Sequence, residues 1–132
     1  MAKQTLKVLI VDDDQFLLDM YSVKFKEEGI EVETSESGAE ALAKLREEFE
    51  PDVLLMDVVM PDVDGLELLD TIKKEKLGGS PALVVLSNQG QPSDIEKAKK
   101  LGANDYIVKA SAIPSEVLKR VVEIVEEHKK SK

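Results

Sequence analysis

The chain has 132 residues, no cysteine, and 27 acidic against 18 basic side chains, for a formal net charge of −9. That length suits one domain with an unstapled core, and the lack of cysteine excludes disulfides and thiol chemistry. The acidity argues against binding nucleic acid by bulk electrostatics and favours a cation or a basic partner surface.

MAKQTLK leads into an apolar run, Val8 to Val11, too short for a signal-peptide core or a membrane span. A cytoplasmic protein without membrane insertion is expected. The run itself reads as a strand buried on both faces. A helix follows near residues 15–28, with Asp14 as its N-cap, Leu17, Met20, Tyr21 and Phe25 on its apolar face, and Gly29 as its stop. Residues 31–34, with Val32 inside, form a weaker strand. Ser37 with Glu40 three residues on reads as a capping box before Ala41, Leu42 and Leu45. Val53 to Met56 is the third strand. Pro61, Asp64 and Gly65 read as a turn without a catalytic role. Leu66, Leu69 and Ile72 mark the third helix, ended by Gly78 and Gly79. Ala82 to Leu86 is the fourth strand. Ser93 and Glu96 read as a second capping box, before Ile95, Ala98 and Leu101. Tyr106 to Val108 is the fifth strand. Val117, Leu118, Val121, Val122 and Val125 stripe the last helix, with Pro114 near its start. Five βα units in succession predict an α/β domain with a parallel five-stranded sheet and right-handed crossovers. No linker, low-complexity stretch or second domain is visible.

In open α/β sheets, sites form beyond the carboxyl ends of the strands. The first strand ends in Asp12, Asp13 and Asp14, the third in Asp57, the fourth in Ser87 and the fifth in Lys109. Each alone has an ordinary reading as a cap, a solvated loop residue or a surface lysine. Together, crowded carboxylates repel, which raises their pKa values, and a bound cation removes that cost. All-oxygen ligands select a hard ion, Mg²⁺ or Mn²⁺, and Mg²⁺ fits a site of few protein ligands better. No glycine-rich phosphate cradle follows the first strand, which reads DDDQ. A carboxylate, a metal site, a lysine and a hydroxyl are the parts of phosphoryl transfer onto Asp57.

The motifs LIVDDD, LLMDVVMPDVDG, VVLS and GANDYIVKA closely resemble the receiver domain of two-component response regulators, the CheY-like family. The resemblance covers about residues 6–127, so residues 1–132 are expected to be a single doubly wound receiver domain of strand order 2-1-3-4-5. It implies that Asp57 is the phosphoacceptor and that Asp13 ligates Mg²⁺ directly. Asp12 would act mainly through water, and Asp57 and the Val59 backbone carbonyl would complete the protein ligands. Lys109 would contact the phosphoryl oxygens, Ser87 would hydrogen-bond them, and Tyr106 would be the aromatic switch. It further implies a histidine kinase or histidine phosphotransfer protein as donor. Output would be a changed surface at the fourth helix, fifth strand and fifth helix, read by a downstream protein. Such a chain is not a stand-alone enzyme, and His128 reads as a solvated helix-end residue. Two positions depart from the family pattern. Ala110 stands where a cis proline usually follows the lysine. Val59, which with Gln89 occupies a position that tunes dephosphorylation, has no polar tip, so a long-lived phosphoryl state is expected. A metal-dependent phosphatase would need an acid/base near position 59, which is valine. A flavin or nucleotide binder would need the cradle that is missing.

Overall fold

Three apolar runs become interior strands because neither of their faces meets water. In the computed structural model, residues 6–47, 49–57, 65–79, 81–88, 91–109 and 113–130 are described. Their order is β1 (Lys7–Val11), α1 (Gln15–Glu27), β2 (Glu31–Ser35), α2 (Gly38–Arg46), β3 (Val53–Met56), α3 (Gly65–Glu75), a 3-10 turn (Leu77–Gly79), β4 (Ala82–Ser87), α4 (Pro92–Lys100), β5 (Asp105–Val108) and α5 (Pro114–Lys130). The sheet is parallel and ordered β2-β1-β3-β4-β5. Every residue of β3 and β4 is buried, as is β1 beyond Lys7, whereas β2 and β5 are the partly exposed edges. The expected fold and strand order are thus observed.

Alternation along the strands divides the core in two. Val8, Ile10, Val53, Leu55, Val84 and Leu86 face one side with α1 and α5. Leu9, Val11, Leu54, Met56, Leu83 and Val85 face the other with α2, α3 and α4. Burying each such side chain contributes about 1.5–3 kcal/mol. On α1 the inward residues are Leu17, Leu18, Tyr21 and Phe25; Met20, expected inside, is 39% exposed. Phe16, Met20 and Val23 form a second apolar stripe facing solvent, which blurred the periodicity.

Local chemistry explains most of the boundaries. The Asp14 carboxylate accepts the Leu17 backbone N–H at 3.3 Å and starts α1. Gly29, at φ +79°, takes the left-handed conformation that ends it. The Ser37 hydroxyl accepts the Glu40 N–H at 3.1 Å, as the capping box predicts. The second expected box fails. α4 begins at Pro92 with Gln91 as N-cap and no side-chain cap bond, and Ser93 lies inside the first turn. Proline at the first helical position supplies a fixed φ and lacks an N–H that would be orphaned there, so it sets the start. α3 stops at Glu75, before the glycines, which sit in the 3-10 turn. At the β2 edge, the Lys44 ammonium donates to the Thr34 backbone carbonyl and lies 3.5 Å from Glu33.

Candidate functional site

The parallel ladder itself aims two carboxylates. Just past β1, the Asp12 N–H bonds the Ser35 carbonyl at 3.1 Å; just past β3, the Asp57 N–H bonds the Val11 carbonyl at 3.0 Å. Backbone pairing thus continues one step beyond each strand and fixes Asp12 and Asp57 at the carboxyl edge, 1% and 9% exposed. Asp13 is exposed beside them. One carboxylate oxygen from each of Asp12, Asp13 and Asp57 lies within 4.8 Å of the others. Lys109, at the end of β5, donates to Asp12 Oδ2 at 2.7 Å and to Asp57 Oδ2 at 3.2 Å. The other oxygen of Asp12 accepts the Asp14 N–H at 2.9 Å. A cleft of about 330 Å³ opens here, lined by Asp12, Asp13, Asp14, Asp57, Ser87, Asn88 and Lys109.

Electrostatics follow from this crowding. Burial pushes the Asp12 carboxyl above its ordinary value, against the pull of Lys109 and the Asp14 amide. For Lys109, burial is the largest single influence and works downward, yet Asp12 and Asp57 together hold the ammonium above the usual lysine value. Three ionised carboxylates against one ammonium leave two negative charges, and all the donors are hard oxygens. The residues therefore fit a divalent hard cation.

The structure brings together Asp12, Asp13, Asp57, Ser87 and Lys109, all expected at strand ends. Tyr106 is half-buried, and its hydroxyl bonds Ser87; burial raises the phenol pKa, that bond opposes it, and the charges of Asp94 and Asp57 add to the rise. Val59, Gln89 and Ala110 lie outside the described residues. His128 is partly exposed near the end of α5, as expected, with Nδ1 3.3 Å from Asn104 Nδ2. Asn88 and Asp94 were not singled out from the sequence. Asn88 directly follows Ser87, a signal that was available, whereas Asp94 is recognisable only once α4 is folded over Tyr106. Among the described residues, no helix is long and apolar enough to cross a membrane.

Comparison with known proteins agrees with this arrangement. The family model described as "Response regulator receiver domain" matches residues 8–122. The chemotaxis protein CheY of Halobacterium salinarum is 36% identical over 115 residues, which cover 87% of this chain and 91% of that protein. The response regulator SaeR of Staphylococcus aureus is 33% identical over 123 residues, 93% of this chain and 52% of SaeR, so the chain spans about half of that relative. Among solved structures, a CheY-like receiver domain protein from Methanospirillum hungatei superposes with a TM-score of 0.87 at 29% identity, covering 98% of this chain and 100% of that one. The BeF3-activated DrrB receiver domain gives 0.80 at 28% identity, covering 93% and 99%. With an acidic triad at the carboxyl edge of a 2-1-3-4-5 sheet and a family match over most of its length, the chain belongs to the response regulator receiver domains of two-component signalling: a phosphoacceptor switch, not a stand-alone enzyme.

Proposed function

We propose that Asp57 takes a phosphoryl group from a phosphohistidine on a partner kinase or phosphotransfer protein, in the cytoplasm, with Mg²⁺ held by Asp12, Asp13, Asp57 and the Val59 carbonyl. We read residues 6–127 as the domain that does this. The observation that carries the reading is the meeting of three carboxylates within 4.8 Å with a lysine bonded to two of them. In the transfer, an Asp57 carboxylate oxygen forms the new P–O bond while the P–N bond of the donor breaks and its imidazole leaves with the electron pair. A divalent cation held by these carboxylates would supply charge neutralisation for the transfer. Lys109, bonded to Asp57, would follow the negative charge from the carboxylate to the phosphoryl oxygens, and the hydroxyl of Ser87, which lines the same cleft, would hydrogen-bond them.

Docking and output use separate surfaces in this reading. Phe16, Met20 and Val23 expose an apolar stripe on α1, and Ile113 is exposed at the entry to α5. Phe16 and Ile113 both follow strands of the site's edge, so the donor protein would seat there. The α4–β5–α5 face would carry the output to a downstream protein; along α4 it includes an apolar groove lined by Pro92, Ile95, Glu96, Lys99 and Lys100.

The test is titration with beryllofluoride or acetyl phosphate, with and without Mg²⁺, followed by NMR. The wild type responds only with Mg²⁺, and Asp57→Asn does not respond. A metal-independent response, or one retained in the variant, overturns the reading. Because Val59 offers no hydrogen bond to an attacking water, slow dephosphorylation is expected, with Val59→Asn accelerating it. Fast decay in the wild type that Val59→Asn leaves unchanged removes that element.

A further inference from the structure

The amino-terminal edge of the sheet carries a second cleft, at the opposite end of β4 from Ser87. Its volume is about 250 Å³, and it is lined by Ile72, Lys73, Lys76, Leu77, Pro81 and Leu83. Roughly 13 Å of strand separates Leu83 from Ser87, and the two clefts share no residue. The lining holds four apolar residues, two lysines and no acid, in a chain of net charge −9. Lys73 lies in the last turn of α3. Lys76 follows the helix at φ +53°, a left-handed conformation uncommon for a residue with a side chain, and both lysines line the one cleft. Lys73 is also seated. A Cβ on Gly102 would meet Cγ and Cδ of Lys73 at 3.0 and 3.1 Å, so the bare glycine lets the lysine stem lie across the turn between α4 and β5. Nearby lysines find acids: Lys74 lies 3.0 Å from Asp70, and Lys100 lies 3.4 Å from Glu96. Among the described residues, neither Lys73 nor Lys76 has an ion pair or a side-chain hydrogen bond.

We propose that this cleft binds a small organic anion. Its carboxylate or phosphate head would lie between the Lys73 and Lys76 ammonium groups. Its apolar body, one ring or a short branched chain, would lie against Ile72, Leu77, Pro81 and Leu83. Two like charges at one rim repel, and with no acid in the lining an anion relieves that repulsion. A bare inorganic anion would meet the lysines and leave the apolar floor wet. A neutral hydrocarbon would cover the floor and leave the charges facing each other. A molecule that carries both parts gains from each. The volume sets the size of the body, because it falls below that of pockets for drug-sized ligands. A ligand here would tie the end of α3 to the start of β4, beside the turn where Lys73 rests on Gly102. The site stands apart from the phosphoryl-switch reading, since none of its residues takes part in that one.

The experiment is an amide NMR titration of the whole chain at low ionic strength, without added Mg²⁺, so that the acidic cleft repels anions. The probes are benzoate, benzyl alcohol (the ring without the charge) and acetate (the charge without the ring). Benzoate is expected to shift the amides of Lys73, Leu77 and Leu83 saturably, with benzyl alcohol and acetate each at least about fivefold weaker. Replacing both lysines, Lys73→Gln with Lys76→Gln, keeps most of each stem and removes the charges. That double variant is expected to weaken benzoate about three- to twentyfold, the scale of two solvent-screened charge contacts. Lys26→Gln, on α1, is the control for general attraction of anions to lysine, and is expected to change the affinity less than about twofold. No saturable shift at the three amides overturns the proposal. So does benzoate binding no tighter than benzyl alcohol, or an affinity that the double variant leaves unchanged. An equal loss in the Lys26 control also overturns it, because it assigns the effect to net charge.

Discussion

Asp52 and Asp57 bracket β3, one residue before it and one after, and they do opposite work. Asp52 closes the amino end of the sheet. Its N–H bonds the Lys7 carbonyl at 2.8 Å, its carbonyl accepts the Ala82 N–H at 3.0 Å, and its carboxylate accepts the Lys7 N–H at 2.8 Å. Asn104 does the same at the start of β5, where its N–H bonds the Leu83 carbonyl at 2.6 Å and its side-chain oxygen accepts the Leu83 N–H at 2.8 Å. At that end, polar side chains are absorbed into the backbone ladder. At the carboxyl end the ladder uses only the backbone of Asp12 and Asp57 and leaves their side chains to face one another and Lys109. A polar residue at a strand end becomes a site when neighbouring strands deliver like charge to it, and a brace when they deliver backbone amides.

The sharpest way to break this contrast is to exchange the two losses. Asp57→Asn is expected to abolish phosphoryl uptake from acetyl phosphate while the fold persists. Asp52→Ala is expected to keep uptake and to lose about 0.5–1.5 kcal/mol of stability, because the exposed Lys7 amide exchanges its carboxylate acceptor for water. Uptake is measured by phosphoprotein mass and stability by urea midpoint. Loss of uptake in the Asp52 variant erases the distinction.

A second expectation concerns pH. The folded-state pKa of Asp12 is raised above 3.8. In metal-free protein, its contribution to folding is therefore fully present below that value and is lost as pH rises through the folded pKa. Metal binding needs the ionised form. Mg²⁺ affinity should therefore begin to fall, on acidification, above the ordinary carboxylate range, with the apparent Kd rising at most about tenfold per pH unit for each proton displaced. Calorimetric Mg²⁺ titrations between neutral pH and pH 4.5 measure this. An apparent Kd that stays flat throughout that range separates Asp12 from the metal.

The smallest effect should come from Arg46, whose Nη2 lies 2.9 Å from Glu75 across α2 and α3. Both side chains are about half exposed and solvent screens the pair, so Arg46→Ala should leave the urea midpoint almost unchanged despite the good geometry. A loss comparable to that of Asp52→Ala, in the same urea assay, would mean that exposure is a poor guide here.

What was legible in the chain follows the same division. The interior strands announced themselves because burial on both faces demands unbroken apolar runs. β2 was faint because, on an edge, it alternates Glu31, Val32, Glu33. Asp12, Asp57, Ser87 and Lys109 could be found because each follows such a run directly. The misreadings arose where two local signals competed: Pro92 against Ser93 at the start of α4, and two apolar stripes on α1. Asn104, His128 and Asp94 were opaque for another reason. Each is a single polar residue whose partner lies far along the chain or on another element, so no spacing rule reveals it.

The lysine seated over the outer edge of β2 has a consequence for how the molecule tolerates company. The Ser35 carbonyl points inward to Asp12, so that of Thr34 points outward, where a strand from another molecule could extend the sheet. Lys44 occupies that acceptor, and an invading strand would have to displace a cation first. Discharging this one side chain would leave the acidic cleft intact and unguard the edge, turning a discrete signalling unit toward polymerisation.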